Sequence, residues 1–279
     1  MAVLVPQIFG NAVNEKLGVN LLAKSLAFDA TSLVPEILIA GDSINLPILN
    51  RVAVTGIVTK GVPIVPANVD MKPRLTLIKQ AATSIRVYDV EAVQIKGAVV
   101  DNMVEQVATS IAKFVDGDLI DAMAADATFI TPLGTPTEVT NDELLTAMAC
   151  FGDSRNVADF AGVLCSSTML NSFLKMPEFI SVGITFNTQQ GSTNGLVVDN
   201  CAGYYLGVPV YVSDQVVHPV DGERIYLIKR NALGYFIQRD VKIEIEREGK
   251  LLADDIIAST LFGTKLLEQD GVSVLGDIT

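Results

Sequence analysis

One stretch constrains the chain more than any other: residues 88–126 contain no proline, and apolar residues return there at helical spacing. They are Val93, Val100, Val104, Val107, Ile111, Phe114, Val115 and Leu119. An i, i+3/i+4, i+7 rhythm held for so many turns predicts one long amphipathic helix from about Tyr88 to Asp126. Its polar face carries Gln94, Asp101, Glu105, Gln106, Lys113 and Asp121. Gly97 and Gly117 each weaken a helix by about 1 kcal/mol relative to alanine, which predicts a kink or an end near Asp116-Gly117-Asp118. At roughly 1.5 Å per residue, such a helix is longer than one compact core needs. It reads as a spine.

The 279 residues around that helix suit one large domain or two intimately packed ones. Hydrophobic residues make up 49%, aromatics only 6%, and charged residues 19%, with no tryptophan. Mean hydropathy is +0.41. That apolar excess without aromatic clusters fits either extensive burial between subunits or a large aliphatic core. A net charge of −12 argues against a direct grip on nucleic acid, which needs clustered lysine and arginine. Cys150, Cys165 and Cys201 are an odd count without CxxC spacing, so buried thiols in a reducing compartment are expected. No apolar run approaches the ~20 residues of a membrane span, and no charged n-region opens the chain. A soluble chain with no signal peptide is expected.

In chain order, Ile8, Val13, Leu17, Leu21 and Leu22 predict a short helix between Pro6 and Ala27. With too few contacts for a core of its own, it reads as an arm lying on something else. Ile44 to Ile48 reads as a strand. The span from Arg51 to Arg86 is rich in Val, Ile and Thr and broken by Gly56, Gly61, Pro63, Pro66 and Pro73. Two strand-like runs around a tip near Lys60-Gly61 predict a long extended hairpin, with its prolines at edges or exposed positions. Thr140-Asn141-Asp142-Glu143 is a capping box opening a helix to about Phe151. Val163-Leu164-Cys165 reads as a strand, Ser167 starts a helix that ends before Pro177, and Ser181–Gly195 reads as a loop. Strands are expected at Gly207–Val212 and Arg224–Lys229, with a run at Ala232–Phe236 and a strictly alternating strand at Val241–Arg247. Ala253–Leu267 fits a helix or an irregular strand. The order places the chain in the α+β class, with helices on one side of a mainly antiparallel sheet.

Charge is uneven. Residues 51–96 carry Arg51, Lys60, Lys72, Arg74, Lys79, Arg86 and Lys96 against three acids, net +4; residues 97–170 carry two bases against eleven acids, net −9. A basic hairpin beside an acidic body is what complementary subunit contacts look like, and a hairpin folded onto its own acidic helix gives the same pattern. Arg51, Lys60, Lys72, Arg74, Lys79 and Arg86 are therefore the candidate subunit-interface residues.

Chemistry-bearing motifs are sparse. GxSxG, HExxH, a P-loop and GxGxxG in its context do not occur. Asp254-Asp255 and Asp116/Asp118 are the carboxylate pairs that would serve a metal or acid/base role. Neighbours in a strand face opposite ways and in a helix diverge by ~100°, so Asp254-Asp255 is a poor dyad and surface acids are expected. The one histidine, His218, sits beside Pro219 in a turn-like run. No catalytic, cofactor-binding or metal-ligating residue is expected.

The order of arm, extended hairpin, long helix, mixed domain and closing sheet resembles tailed-bacteriophage major capsid proteins of the Hong Kong 97 fold. Gly41-Asp42-Ser43-Ile44-Asn45-Leu46-Pro47 resembles the family's approach to its extended loop, and DGDLIDAM, Asp116–Met123, the end of its spine helix. Gly207-Val208-Pro209-Val210 with Ser213-Asp214, and Asn231–Glu248, resemble strands of its axial and peripheral domains. The resemblance implies an N-terminal arm at 1–40, an extended hairpin loop at 41–87, a spine helix of the peripheral domain at 88–130, an axial domain at 131–230, and closing strands at 231–279. It implies a non-enzymatic shell protein assembling with itself as hexamers and pentamers around double-stranded DNA, without sequence-specific binding, cofactor or membrane. The hairpin would lie over a neighbour and the arm along another. A portal and a separate scaffolding protein are expected partners, the latter because the arm begins almost at Met1. The setting is the virion, assembled in the host cytoplasm. Some members crosslink a hairpin lysine to a neighbour's asparagine; Lys60 has no motif around it to support this. The rival readings are an encapsulin-type nanocompartment shell, a carboxylate-dependent soluble enzyme, and a tail or sheath component.

Overall fold

The structure is a computed structural model that describes residues 11–17, 21–22, 26–32, 43–49, 71–90, 98–181, 201–217 and 222–276; of residues 43–49, 71–74, 98–101 and 181 it describes the backbone alone. The hairpin tip with Arg51 and Lys60, Val93, Gln94 and Gly97 in the helix run, the 182–195 part of the loop, and His218 lie outside the described residues.

The elements are a short helix α1 (residues 11–17), β1 (Phe28–Asp29), β2 (Ser43–Leu49), β3 (Met71–Leu77), β4 (Lys79–Tyr88) and the long helix α2 (Ala98–Asp126). They continue with β5 (Phe129–Thr131), α3 (Asn141–Ala149), β6 (Phe160–Cys165), α4 (Ser167–Lys175), β7 (Phe179–Ser181), β8 (Cys201–Tyr205) and β9 (Val208–Val212). The last four are β10 (Ile225–Lys229), β11 (Leu233–Glu248), β12 (Ala253–Leu266) and β13 (Val272–Leu275). They build a four-stranded sheet in the order β1-β11-β12-β4, a seven-stranded sheet β5-β13-β10-β6-β9-β8-β7, and a separate two-stranded ribbon β2-β3. Pairing is antiparallel except at β1/β11, β6/β9 and β5/β13. The class is α+β.

The long helix packs on the four-stranded sheet. Val104, Val107, Ala108, Ile111, Ala112, Val115, Leu119, Ile120 and Met123 are all buried and form one stripe, which joins Ile256, Ala258 and Phe262 of β12 in the main core. Each large side chain so buried contributes about 1.5–3 kcal/mol, which outweighs the ~1 kcal/mol that Gly117 costs. The helix accordingly runs through Asp116-Gly117-Asp118 to Asp126 instead of ending there. Two other expectations are corrected. Tyr88 belongs to β4, opposite Ala253, and Phe114 is 54% exposed, its ring edge-on to that of Phe262 with centroids 6.0 Å apart.

Ala253–Leu266 is a 14-residue strand. Its apolar spacing imitates a helix because, as a central strand between β11 and β4, it buries residues on both faces. The runs 232–236 and 241–247 belong to one 16-residue strand whose register slips twice, between Ile237 and Arg239 and between Arg239 and Lys242. Side chains repair the slip: the Thr260 hydroxyl donates to Arg239 O (2.8 Å), and Arg239 Nη2 donates to Ser259 Oγ (3.0 Å).

The N-terminal segment lies on its own chain. Val13, Leu17, Leu21, Leu22 and Leu26 are buried in the main core, and Leu22 N donates to the buried Asp116 carboxylate at 3.1 Å. It also serves the outer edge of β11, where Val241 N donates to Asn14 Oδ1 and Ile237 N to Thr31 Oγ1. In the seven-stranded sheet a second core gathers Leu144, Met148, Met169 and Phe173 from α3 and α4. Thr140 caps α3 with the full capping box. Cys165 is buried and its thiol is pushed up to about 12, chiefly by burial and then by Glu223 and Asp214. Cys150 is exposed, against the expectation of three buried thiols.

Gly263 lies opposite Phe236 in the β11/β12 ladder, and a methyl group there would stand 2.1 Å from the ring. The ring is itself buried among Ala30, Phe28, Ile78 and Leu267, so it has nowhere to move. Gly263→Ala is expected to cost about 1–3 kcal/mol by overpacking, measured by chemical denaturation; an unchanged midpoint would contradict this packing.

Candidate interaction surface

The basic residues picked out in the sequence fall into three groups. Arg51 and Lys60 lie outside the described residues, and Lys72 and Arg74 stand on the β3 backbone. Lys79 and Arg86, on β4, are engaged within the chain. The Lys79 ammonium donates to Asp118 of the long helix, which also accepts from the Thr264 hydroxyl at 2.6 Å. The Arg86 guanidinium grips Asp255 of β12 with two bonds of 2.7 Å. The base of the hairpin is thus neutralised by its own helix and sheet.

The ribbon itself follows from its prolines. Pro47 stands directly opposite Pro73. Neither has an N–H, so the ribbon has no backbone donor on either strand at this position. Two strands that are both edges can accept this, whereas a central strand could not.

At the far end of the four-stranded sheet, Arg247 of β11 reaches Asp89 with two bonds of 2.7 Å and Asp254 at 3.0 Å. Arg247 is the cross-strand neighbour of Asp254, and Arg86 that of Asp255. Adjacent strand residues face opposite ways, so the two aspartates brace opposite faces. The sequence shows the Asp254-Asp255 doublet but not the register that gives each its arginine.

These pairs decide what the acids can do. The hydrogen bond from Arg247 holds the Asp89 carboxyl below the ordinary carboxylate range, and that from Arg86 does the same for Asp255. A carboxylate held ionised by an arginine is a poor proton donor or acceptor near neutrality. Asp116 and Asp118 are likewise taken up by Leu22 N, Thr264 and Lys79. Among the described residues, no group of three or more His, Cys, Asp or Glu side chains could hold a metal ion, and no helix is long and apolar enough to cross a membrane. A groove of about 480 Å³ lies between residues 26–29 and the β9/β11 region, lined by Phe28, Tyr211, Arg230 and Tyr235 among others. Arg230 there donates through Nε to Phe160 O at 3.2 Å.

Among the exposed apolar side chains that the sequence reading missed, two groups lie on the ribbon and on the four-stranded sheet. Leu75 and Leu77 project from β3. Tyr88, Val90, Leu251 and Leu252 stand together at the charged end of the sheet, where Asp89 N donates to Leu252 O at 2.9 Å. The only signal for the second group was its position beside a turn.

The Asp89 and Asp255 pairs carry a sign. A folded-state value below the unfolded one means that the unfolded chain binds more protons, so their contribution is present at neutral pH and fades as pH falls through the depressed folded value. Asp255→Asn is therefore expected to lower the melting temperature by a constant, modest amount from neutral pH to about pH 5. The gap should begin to narrow once pH falls below the ordinary aspartate value of about 3.9 and close only below the depressed folded value. Melting curves across that range check this, and a gap that persists at the lowest pH would contradict it.

No protein-family model matches the sequence, and no curated protein matches it. Solved structures do. A chain from Mycobacterium phage Che8 is 18% identical over 91% of this chain and 89% of its own, with a TM-score of 0.63. A chain from the capsid of the cyanophage P-SCSP1u is 14% identical over 85% and 84%, at 0.60. A chain from the capsid of a native GTA particle is 11% identical over 91% and 92%, at 0.64. Likeness at such identities is likeness of fold: nearly the whole chain follows the α+β architecture of these chains.

Proposed function

We propose that this chain is a major capsid protein, the repeating subunit of a closed icosahedral shell around the double-stranded DNA of a tailed phage or related particle. The observation that carries the reading is the extent of the likeness: about nine-tenths of both chains align with the GTA capsid structure, and over four-fifths with the cyanophage capsid, rather than one shared module. Function then comes from surfaces, not from a reactive site. The carboxylates that an enzyme reading would recruit are already held by arginine, lysine or backbone.

In this reading hexamers and pentamers of the chain close the shell, a separate scaffolding protein and a portal are its further partners, and assembly takes place in the host cytoplasm. The two-stranded ribbon and the hairpin beyond it reach a neighbouring subunit. Lys72 and Arg74 stand on the ribbon, while Lys79 and Arg86 tie β4 to the long helix and to β12. The net charge of −12 limits adhesion between shell and genome, which suits DNA that is packed and later released. No membrane, metal or organic cofactor takes part.

The test is light scattering on a sizing column, with negative-stain microscopy of the same fractions, for the chain expressed alone and with a candidate scaffold. Closed shells, or rings and tubes of capsomers, are expected. A monodisperse monomer or dimer under both conditions would overturn the reading. Particles that protect a cargo enzyme and exclude DNA would move it to a nanocompartment.

A further inference from the structure

The groove of about 480 Å³ lies where the chain crosses from the seven-stranded to the four-stranded sheet, between residues 26–29, β9 and the β10–β11 turn. That is the size of a small-molecule site, and junctions between packed units are where such sites concentrate. Its walls include Phe28, Pro209, Tyr211 and Tyr235. Gly162 of β6 makes room for one of them: a methyl group there would stand 2.7 Å from the Tyr211 ring. Aromatic walls favour a ring as guest, stacked offset or edge-on.

One cation lines the groove. Arg230 is fixed twice, by its backbone N–H on Asp159 O (2.8 Å) and by Nε on Phe160 O (3.2 Å). Asn231 beside it takes a left-handed φ of +63, which asparagine tolerates, and turns the chain toward β11. Among the described residues, Nη1 and Nη2 of Arg230 meet no acceptor. They leave a braced guanidinium edge for a pair of ligand oxygens. The other charge in the lining, Asp29, forms no ion pair with it; its Oδ1 accepts from Thr31 N at 2.9 Å. Burial, and then Asp29, push the Tyr235 hydroxyl up, so it stays a donor at neutral pH.

We propose that this groove binds a small aromatic carboxylate, its ring among Phe28, Tyr211 and Tyr235 and its carboxylate on Nη1 and Nη2 of Arg230. The lining decides among guests. An aliphatic acid leaves the aromatic walls unfilled, and a neutral ring leaves the guanidinium unused. A phosphate dianion is repelled by Asp29 more strongly than a single negative charge is. Every lining residue belongs to one chain, so the site does not depend on the shell reading.

The test is calorimetric titration of the full chain, per subunit, with N-acetylphenylalanine, its amide, acetate and phenyl phosphate. N-acetylphenylalanine is expected to bind with a dissociation constant of about 1 mM or below, and the amide and acetate roughly tenfold or more weakly. Arg230→Gln should weaken the carboxylate about tenfold and leave the amide unchanged. Arg230 is exposed, so the variant is expected to melt close to wild type; if it melts early, the comparison of acid with amide on wild type decides alone. A tripeptide ending in phenylalanine that binds about tenfold more tightly assigns the carboxylate to a chain end. Equal binding assigns it to a free molecule, and both results uphold the site. Equal affinity for acid and amide, wild-type affinity in a folded Arg230→Gln, or no binding up to about 10 mM would overturn it. Tighter binding of phenyl phosphate would overturn the choice of a carboxylate.

Discussion

Everything in this fold leans on one contact: the apolar stripe of α2 against the four-stranded sheet. A 29-residue helix with a glycine in its third quarter is marginal alone, and its buried residues from Val104 to Met123 make it firm. The polar pins sit around that contact. Asp116 holds the N-terminal segment, Asp118 ties β4 and β12, and Lys265 reaches Asp126 at 2.5 Å. The first of these is buried, so its removal would take a buried acceptor from the Leu22 amide.

Chain order then binds the two large sheets to each other. β10 runs in the seven-stranded sheet, the chain crosses to β11 and β12 in the four-stranded sheet, and β13 returns between β5 and β10. The N-terminal residues close the outer edge of β11 with Phe28-Asp29 and the side chains of Asn14 and Thr31. The ribbon and the turn end of the sheet lie outside that closure and expose Leu75, Leu77, Leu251 and Leu252, while Leu145, Leu174 and Leu206 are exposed elsewhere on the chain.

Local signals were legible in the sequence. The capping box at Thr140, the long helix and the strand ending at Cys165 all depend on residues close together in the chain. The failures were long-range ones. Gly117 does not end the helix because tertiary packing outweighs its propensity, and β12 looked undecided because a strand buried on both faces has no period of its own. The arginine partners of Asp254 and Asp255 depend on strand register, which composition cannot fix. Of the proposed interface, the charge asymmetry was visible, but the engagement of Lys79 and Arg86 within the chain was not. The exposed Leu251 and Leu252 gave no warning, since they look like any turn leading into a strand.

A capsid reading makes these features parts of one design: a rigid body, spare edges, and a surface charge that keeps DNA mobile. The most direct test is a three-dimensional reconstruction of particles assembled from this chain. The account predicts a closed icosahedral shell of six- and five-membered rings, with α2 seated on its four-stranded sheet in each subunit. A particle without closed symmetry, or a subunit in which α2 has left the sheet, would contradict it.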